Sequence, residues 1–356
     1  MAPHILVTGA GGYIGGSIAA DLLNAKEGFT KGTEIHAAVR SQEQAQSLSG
    51  LAVNVAHLDL GDKKLVENYL LSHDIDIVIN TATSIDRTVA LNLISGLSAR
   101  RAATGKESYL IHTSGLSAFD EVTSWPFGPI KDTDAVYDLE SKSKNTYIVR
   151  QVDTLIVEHC KASGVMLFMI FPPTLHGRGS GTWNQLSPQI PSLIKAGVKE
   201  RRVYKFPDSR DAILAHISDI AAFFTLLVNA ILRGDRLPEG QDGYYFLVSH
   251  EVSWWEILEK LAARLYARGL IDSPDLDVWP SEKVVAEAVG VPVRFAHSMW
   301  NASAKITCER QSILGWQPKW NKEQFLSRLD DEIDDFLELG LPKSSLLDSL
   351  KPKSAQ

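Results

Sequence analysis

The chain has 356 residues, 44% hydrophobic and 22% charged, which is ordinary for a folded globular protein with a substantial core. Its formal net charge of -7 argues against a basic surface of the kind that binds nucleic acid or an anionic membrane. We see neither a secretory signal nor an apolar run of membrane-spanning length, so we expect a cytoplasmic protein.

Short apolar runs alternate with helical stretches through the first half of the chain. Strands are predicted at residues 5–7, 34–39, 53–58, 75–80, 109–113 and 165–171, with a helix over 146–162. Near-continuous apolar strands separated by helices are typical of a parallel sheet that is covered on both faces. The pattern therefore predicts an α/β fold with a Rossmann-type, doubly wound parallel sheet.

The pattern changes after residue 171. A turn-rich loop precedes helices predicted around 185–196 and 217–232, and a strand over 244–248 is expected to return to the sheet. Further helices around 253–268, 281–289 and 322–339 indicate a smaller, mostly helical C-terminal lobe that binds substrate. We predict a dinucleotide-binding domain over 1–175 with 207–250 returning to it, a substrate lobe over 176–206 and 251–345, and a tail over 346–356.

A glycine-rich turn directly follows the first predicted strand. Gly9, Gly12 and Gly15 have the spacing in which the first glycine allows a tight turn, the second admits a pyrophosphate and the third lets the helix pack on the sheet. The N-terminus of the following helix presents partial positive charge to the phosphates. This context predicts a binding site for a nicotinamide dinucleotide.

The end of the second strand bears on the choice of cofactor. An NAD site places an acidic residue here for the ribose 2′-hydroxyl. This chain instead has Arg40, a cation suited to a 2′-phosphate, followed by Ser41 as a second donor. The sequence thus favours NADP(H) over NAD(H).

Several further motifs resemble those of the extended short-chain dehydrogenase/reductase superfamily, in particular its fungal epimerase/dehydratase-like members. They are the Thr8–Gly15 turn, Asp59-Leu60, the Asn80-Thr-Ala82 turn, His112-Thr113-Ser114, Pro172 to Gly179, His216-Ile-Ser-Asp219 and Leu314-Gly-Trp316-Gln-Pro318. The resemblance implies a role in secondary metabolism and, by analogy, a homodimer. Together these arguments predict cofactor contacts from Thr8, Gly9, Gly12, Tyr13, Ile14, Gly15, Arg40, Ser41, Asp59, Leu60, Ala82, Thr113 and Pro172.

The superfamily's catalytic pair is missing. Its tyrosine and the lysine four residues later are expected near Asn145 and Val149, and neither residue matches. Three explanations stay open. Tyr147 acts with charge from Arg150 or Lys144, Tyr137 acts with Lys142 from the preceding segment, or no tyrosine-based hydride chemistry occurs.

The resemblance and the residues together predict an NADP(H)-dependent oxidoreductase that acts on a carbonyl, alcohol or conjugated alkene of a small organic molecule. Ser114 would polarise the substrate oxygen, and Tyr147 or Tyr137 would donate a proton. His176 stands where it could face substrate. Two other classes remain: a non-redox isomerase, cyclase or dehydratase that uses His176 as acid/base, and an inactive dinucleotide-sensing regulator. Cys160 and Cys308 lie far apart and the ten histidines are scattered, so we expect no metal site.

Overall fold

The structure is a computed structural model that describes residues 3–25, 28 and 32–343. The predicted tail at 346–356 lies outside them. The strands are β1 His4–Thr8, β2 Glu34–Val39, β3 Asn54–His57, β4 Ile77–Asn80, β5 Tyr109–Thr113, β6 Ile130–Lys131, β7 Met166–Phe171, β8 Thr174–His176, β9 Tyr204–Lys205, β10 Asp211–His216, β11 Tyr244–Phe246, β12 His250–Ser253, β13 Asp277–Val278 and β14 Ile306–Thr307.

The α-helices in the described residues are α1 Tyr13–Asn24, α2 Gln42–Leu48, α3 Lys63–Ser72, α4 Arg87–Thr104, α5 Val136–Ser143, α6 Ile148–Ser163, α7 Gln189–Glu200, α8 Ile217–Arg233, α9 Trp254–Ala267, α10 Glu282–Val289, α11 Val293–Trp300, α12 Lys322–Ser327 and α13 Leu329–Leu339. None of them is both long and apolar enough to cross a membrane.

The main sheet is parallel throughout and has seven strands in the described part of the chain. Their order is β11-β7-β5-β4-β1-β2-β3. The chain winds outward in one direction from β1 to β3 and in the other from β4 to β11, so β1 and β4 flank a topological switch point. Ligands of open α/β sheets bind beyond the carboxyl ends of the strands at such a point. The predicted Rossmann-type fold is confirmed.

Each face of the sheet is covered by its own apolar core. One core packs α3, α4 and α6 against the sheet, and the other packs α1 and α8. A third core lies beneath α7, α9, α10, α11 and α13 and draws most of its residues from 190–206 and 252–333. This helical cluster positions one wall of the candidate site. The boundaries proposed above for the dinucleotide-binding domain and the substrate lobe stay a prediction.

Two predicted helices have different bounds in the structure. The helix predicted around 185–196 begins at Gln189, with Pro188 as its N-cap, and continues to Glu200. The helix predicted over 322–339 is divided at Arg328, whose backbone leaves helical geometry. The Arg264 guanidinium donates hydrogen bonds to the Leu326 and Ser327 carbonyls there, so tertiary contacts replace the helical ones.

Candidate active site

The turn after β1 is shaped for close approach to phosphate. Gly9 has a φ of 68°, in the left-handed region that favours glycine, and a side chain there would meet the Ala82 backbone at 2.9 Å. A side chain at Gly15 would meet the Gly9 carbonyl at 2.5 Å and also collide with Thr81 Oγ1. Helix α1 begins with Gly12 as N-cap, without a capping side chain or an acidic residue in its first turn. Its N-terminal N–H groups therefore fit a pyrophosphate.

The end of β2 carries a cation beside this turn. Arg40 is exposed and lines the cavity, its N–H donates to Gln44 Oε1 at 3.1 Å, and its carbonyl accepts from His57 Nε2 at 2.9 Å. These two hydrogen bonds fix the backbone of Arg40 beside the cavity. Ser41 caps helix α2 by accepting from Gln44 N at 3.3 Å, and it does not line the cavity.

One cavity of about 670 Å³ joins the phosphate-binding turn to the ends of β5 and β7. Most of the predicted site residues line it: Gly9, Gly12, Tyr13, Ile14, Gly15, Arg40, Asp59, Leu60, Ala82, Thr113, Ser114, Tyr147 and Pro172. Four predicted residues do not line it: Thr8, Ser41, Tyr137 and His176. The far wall includes Phe295, Met299, Ala302 and Ala304, which makes this end predominantly apolar.

Tyr147 brings a phenol into the cavity. It is the N-cap of α6, and its hydroxyl donates to Ser117 Oγ at 3.3 Å. Burial raises the pKa of the Tyr147 phenol, although Ser117 and nearby Arg150 oppose the shift. The phenol therefore stays protonated at neutral pH and can donate a hydrogen bond.

Ser114 connects the cavity to the protein interior. Its Oγ donates to Asp153 Oδ2 at 2.6 Å, and the Asp153 side chain is fully buried. Burial raises the pKa of Asp153 to about 7, which the hydrogen bond from Ser114 partly opposes. Sequence reasoning singled out Ser114 but not Asp153.

A second buried carboxyl adjoins Asp153. Glu140 of α5 lies within electrostatic reach of Asp153, and its Oε2 accepts from the Tyr244 hydroxyl at 2.7 Å. Burial raises the pKa of Glu140 well above its ordinary value, and the Asp153 charge raises it further. No sequence motif predicts this pair, because the two residues are 13 positions apart on two helices and meet only through packing. The one available signal was an acidic residue on an otherwise apolar face of each helix.

The remaining predicted residues lie elsewhere. Thr8 donates to Asn80 Oδ1 at 2.8 Å beneath the turn, and Tyr137 packs against the core that covers α6. Lys144, one of the charges considered for Tyr147, pairs with Glu158 at 3.2 Å. The described geometry therefore brings Tyr147, rather than Tyr137, to the cavity.

His176 is buried in an aromatic cluster. Its ring centroid lies 5.1 Å from that of His216, 5.4 Å from that of His250 and 4.4 Å from that of Phe325. Burial, followed by His216 and His250, lowers the pKa of His176 well below its ordinary value. The imidazole is neutral and packs behind the cavity wall rather than facing it.

One group of potential metal ligands occurs in the described residues. His4, Glu34 and His36 place ligand atoms within 4.8 Å of one another. They stand at the amino ends of β1 and β2, the sheet edge opposite the cavity. The group therefore does not belong to the candidate active site.

Comparison with known proteins identifies the family. Residues 5–237 match the family described as NAD dependent epimerase/dehydratase. The oxidase ucsJ of Acremonium sp is 25% identical over 343 residues, which cover 89% of this chain and 93% of that protein.

Solved structures share the fold. The dTDP-glucose 4,6-dehydratase of Bacillus anthracis str. Ames, in complex with NAD, has a TM-score of 0.64 and 15% identity, covering 98% of this chain and 100% of that one. The terminal R domain of the myxalamid PKS-NRPS biosynthetic pathway has a TM-score of 0.64 and 16% identity, covering 96% of this chain and 93% of that one. The family match spans well over half of the chain and supports a nicotinamide dinucleotide as the cofactor class. The chain belongs to the NAD dependent epimerase/dehydratase family.

Proposed function

We propose that this protein is an NADP(H)-dependent oxidoreductase that acts on a carbonyl, alcohol or conjugated alkene of a small organic molecule. The observation that carries the proposal is the continuous cavity between the glycine turn and the hydroxyls of Ser114, Ser117 and Tyr147. A cofactor held by the turn would extend toward these hydroxyls, where a substrate oxygen can be bound.

The cofactor end of the cavity supplies binding and selectivity. The N–H groups at the start of α1 would hold the pyrophosphate, and Asp59 and Leu60 would flank the adenine. Arg40 would pair with the 2′-phosphate, because no carboxylate occupies the end of β2 to repel it. When bound, the nicotinamide supplies or accepts a hydride.

Two side chains of the protein would bind the substrate oxygen. Ser114 would hydrogen-bond to it, and Tyr147, protonated at neutral pH, would donate a second hydrogen bond that helps to hold and polarise it. The apolar wall with Phe295 and Met299 favours a substrate with an apolar body. The similarity to a fungal oxidase supports a redox reaction.

The two alternative classes have less support. A non-redox reaction with His176 as acid/base would need that imidazole at the cavity, and it is packed behind the wall. A purely regulatory role would leave the cavity beyond the cofactor without a purpose. Transient hydride transfer, as in a redox-neutral epimerase, would use the same residues.

A turnover screen tests the proposal. Purified protein is mixed with NADPH and a panel of aldehydes, ketones and enones, or with NADP⁺ and the matching alcohols, and reduced nicotinamide is followed by absorbance. Deuterium-labelled NADPH is included to detect redox-neutral transfer. We expect label in a product and loss of turnover in Ser114→Ala, while Ser218→Ala, a serine outside the cavity, leaves turnover unchanged. Dinucleotide binding without label transfer to any panel member would argue for the regulatory class.

A further inference from the structure

Ser114 is the contact between the cavity and a buried acid pair. The serine is 8% exposed and lines the cavity, whereas Asp153 and Glu140 are both 0% exposed. The short Ser114–Asp153 hydrogen bond of 2.6 Å fixes the direction of the serine proton, because a carboxylate can only accept it. Within the described residues no donor contacts the Ser114 Oγ, so this oxygen can accept a hydrogen bond from a ligand in the cavity.

The two carboxyls hold a proton between them. Glu140 and Asp153 are both fully buried, and the charge of Asp153 raises the pKa of Glu140. Tyr244 already donates to Glu140 Oε2, and no other described residue donates to Glu140 Oε1 or Asp153 Oδ1. Two adjacent buried carboxylates cannot both be ionised at moderate cost, so one proton stays with the pair.

The groups that surround the pair limit which of them can exchange a proton. His112 Nε2 lies 3.8 Å from Asp153 Oδ1, and Asn80 Nδ2 donates to His112 Nδ1 at 2.9 Å, which leaves the imidazole proton on Nε2. Burial lowers the pKa of His112 to about 3, so it remains neutral. The Arg150 guanidinium is bound by backbone carbonyls and keeps its charge. Asp153 is thus the group that both contacts Ser114 and can change its protonation state.

We propose that Asp153, backed by the protonated carboxyl of Glu140, stores the proton that Ser114 exchanges with the substrate oxygen. The inference rests on the proposed function. In alcohol oxidation, the substrate O–H proton passes to Ser114 Oγ while the Ser114 proton passes to Asp153, and the hydride leaves to NADP⁺, which is reduced. In carbonyl reduction the same protons move in reverse as NADPH is oxidised. Asp153 is a positioning residue that replaces the proton-handling part of the missing tyrosine–lysine pair.

The acidity of the pair suits this role. Burial raises the pKa of Asp153 to about 7, close to the value at which a general base works best at neutral pH. Burial also raises the pKa of Tyr147, and no lysine of the described residues is among the groups that lower it, so the phenolate is scarcely populated at neutral pH. The Ser114–Asp153 relay is available in both directions.

Infrared spectroscopy of the protein without cofactor tests the relay directly. In a Glu332→Gln background, which removes the other buried carboxyl whose pKa is raised to about 7, we expect the pair to contribute two carboxylic acid carbonyl bands at about pH 5 and one at about pH 9, the lost band titrating near pH 7. Glu140→Gln should remove the band that persists, and Asp153→Asn the band that titrates. Glu158→Gln, which changes an exposed carboxyl on the same helix, should remove neither. Thermal unfolding checks that each variant is folded.

The dependence of the titration midpoint on bound cofactor and on Ser114 separates this inference from the proposed function on which it rests. Ser114→Ala should raise the titration midpoint, because the serine hydrogen bond favours the Asp153 carboxylate. Bound NADP⁺ should lower the midpoint more than bound NADPH, because the oxidised ring is cationic. Failure to bind either dinucleotide would count against the proposed function alone. Absence of a persistent protonated carboxyl at about pH 9, or a midpoint that neither Ser114→Ala nor bound NADP⁺ moves, would overturn the relay.

Discussion

The Arg150 guanidinium carbon lies 5.3 Å from the centre of the Tyr147 ring, one turn further along α6. The arginine lowers the pKa of the Tyr147 phenol through its charge, yet burial outweighs it and the net shift is upward. In this site a cation accompanies the tyrosine without making it a base.

Removal of the Tyr147 hydroxyl should therefore impair reduction without affecting cofactor binding. We expect Tyr147→Phe to lower the rate of carbonyl reduction by about tenfold, because the substrate oxygen loses one hydrogen bond while the proton supplied through Ser114 remains. Tyr137→Phe, which changes the tyrosine that lies outside the cavity, should have little effect. Steady-state kinetics of the two variants decide between the tyrosines, and a loss confined to Tyr137→Phe would contradict the geometry.

Arg150 is also a structural residue. Its guanidinium donates to the carbonyls of Ser143, Ala118 and Thr123 and to Thr146 Oγ1, all beneath the surface. Arg150→Met should reduce the free energy of unfolding by about 3 kcal/mol, because buried acceptors lose their donors. Urea denaturation measures the change. Arg236→Met, at an exposed position, should change it by less than about 0.5 kcal/mol, and equal effects would refute this role.

The glycine turn predicts a contrast between neighbouring positions. A side chain at Gly15 would meet the fixed Gly9 carbonyl at 2.5 Å, whereas one at Gly11 would meet the flexible Gln44 side chain at 3.1 Å. Gly15→Ala should weaken dinucleotide binding by about tenfold or more through displacement of the turn, and Gly11→Ala should weaken it less. Calorimetric titration with NADPH checks both, and equal affinities would show that the turn does not hold the phosphates.

Glu332 gives stability a pH dependence. It is buried, accepts from Gly177 N at 2.5 Å, and burial raises the pKa of its carboxyl to about 7. Because the folded-state pKa lies above the unfolded value, this group's contribution is complete below about pH 4.5 and is lost as pH rises through about 7.

Glu332→Gln removes that titration and retains an acceptor for Gly177. Between about pH 4.5 and pH 8, the unfolding free energy of the wild type should fall by about 3 kcal/mol relative to the variant. Urea denaturation at both pH values tests this, with the exposed Glu323→Gln as control. A constant difference between wild type and Glu332→Gln would mean that the carboxyl is not perturbed.

Local patterns predicted the cofactor half of the site well. The strands over 34–39 and 109–113 have the predicted bounds, and they place Arg40 and Ser114 at the cavity. These positions follow from strand periodicity and from glycine geometry, both of which are encoded over a few residues.

The part of the site that exchanges protons, Asp153 and Glu140, could not be predicted from short-range patterns, because it forms through packing between distant segments. Asp153 and Glu140 meet because α5 and α6 pack together beside Tyr244 of β11, more than 90 residues later in the chain. His176 lies outside the cavity because Phe325 and two histidines from other strands pack around its ring. Contacts of this sequence separation have no local signature.

The central claim is that the cavity binds NADP(H) through Arg40, and calorimetry with NADPH and NADH tests it most directly. We expect NADPH to bind more tightly than NADH to the wild type, and Arg40→Ala to weaken NADPH binding by about tenfold or more with NADH unchanged, since charge-assisted hydrogen bonds to the 2′-phosphate are lost. Arg236→Ala should bind both as the wild type does. Tighter binding of NADH than NADPH, or NADPH affinity unchanged in Arg40→Ala, would contradict the account.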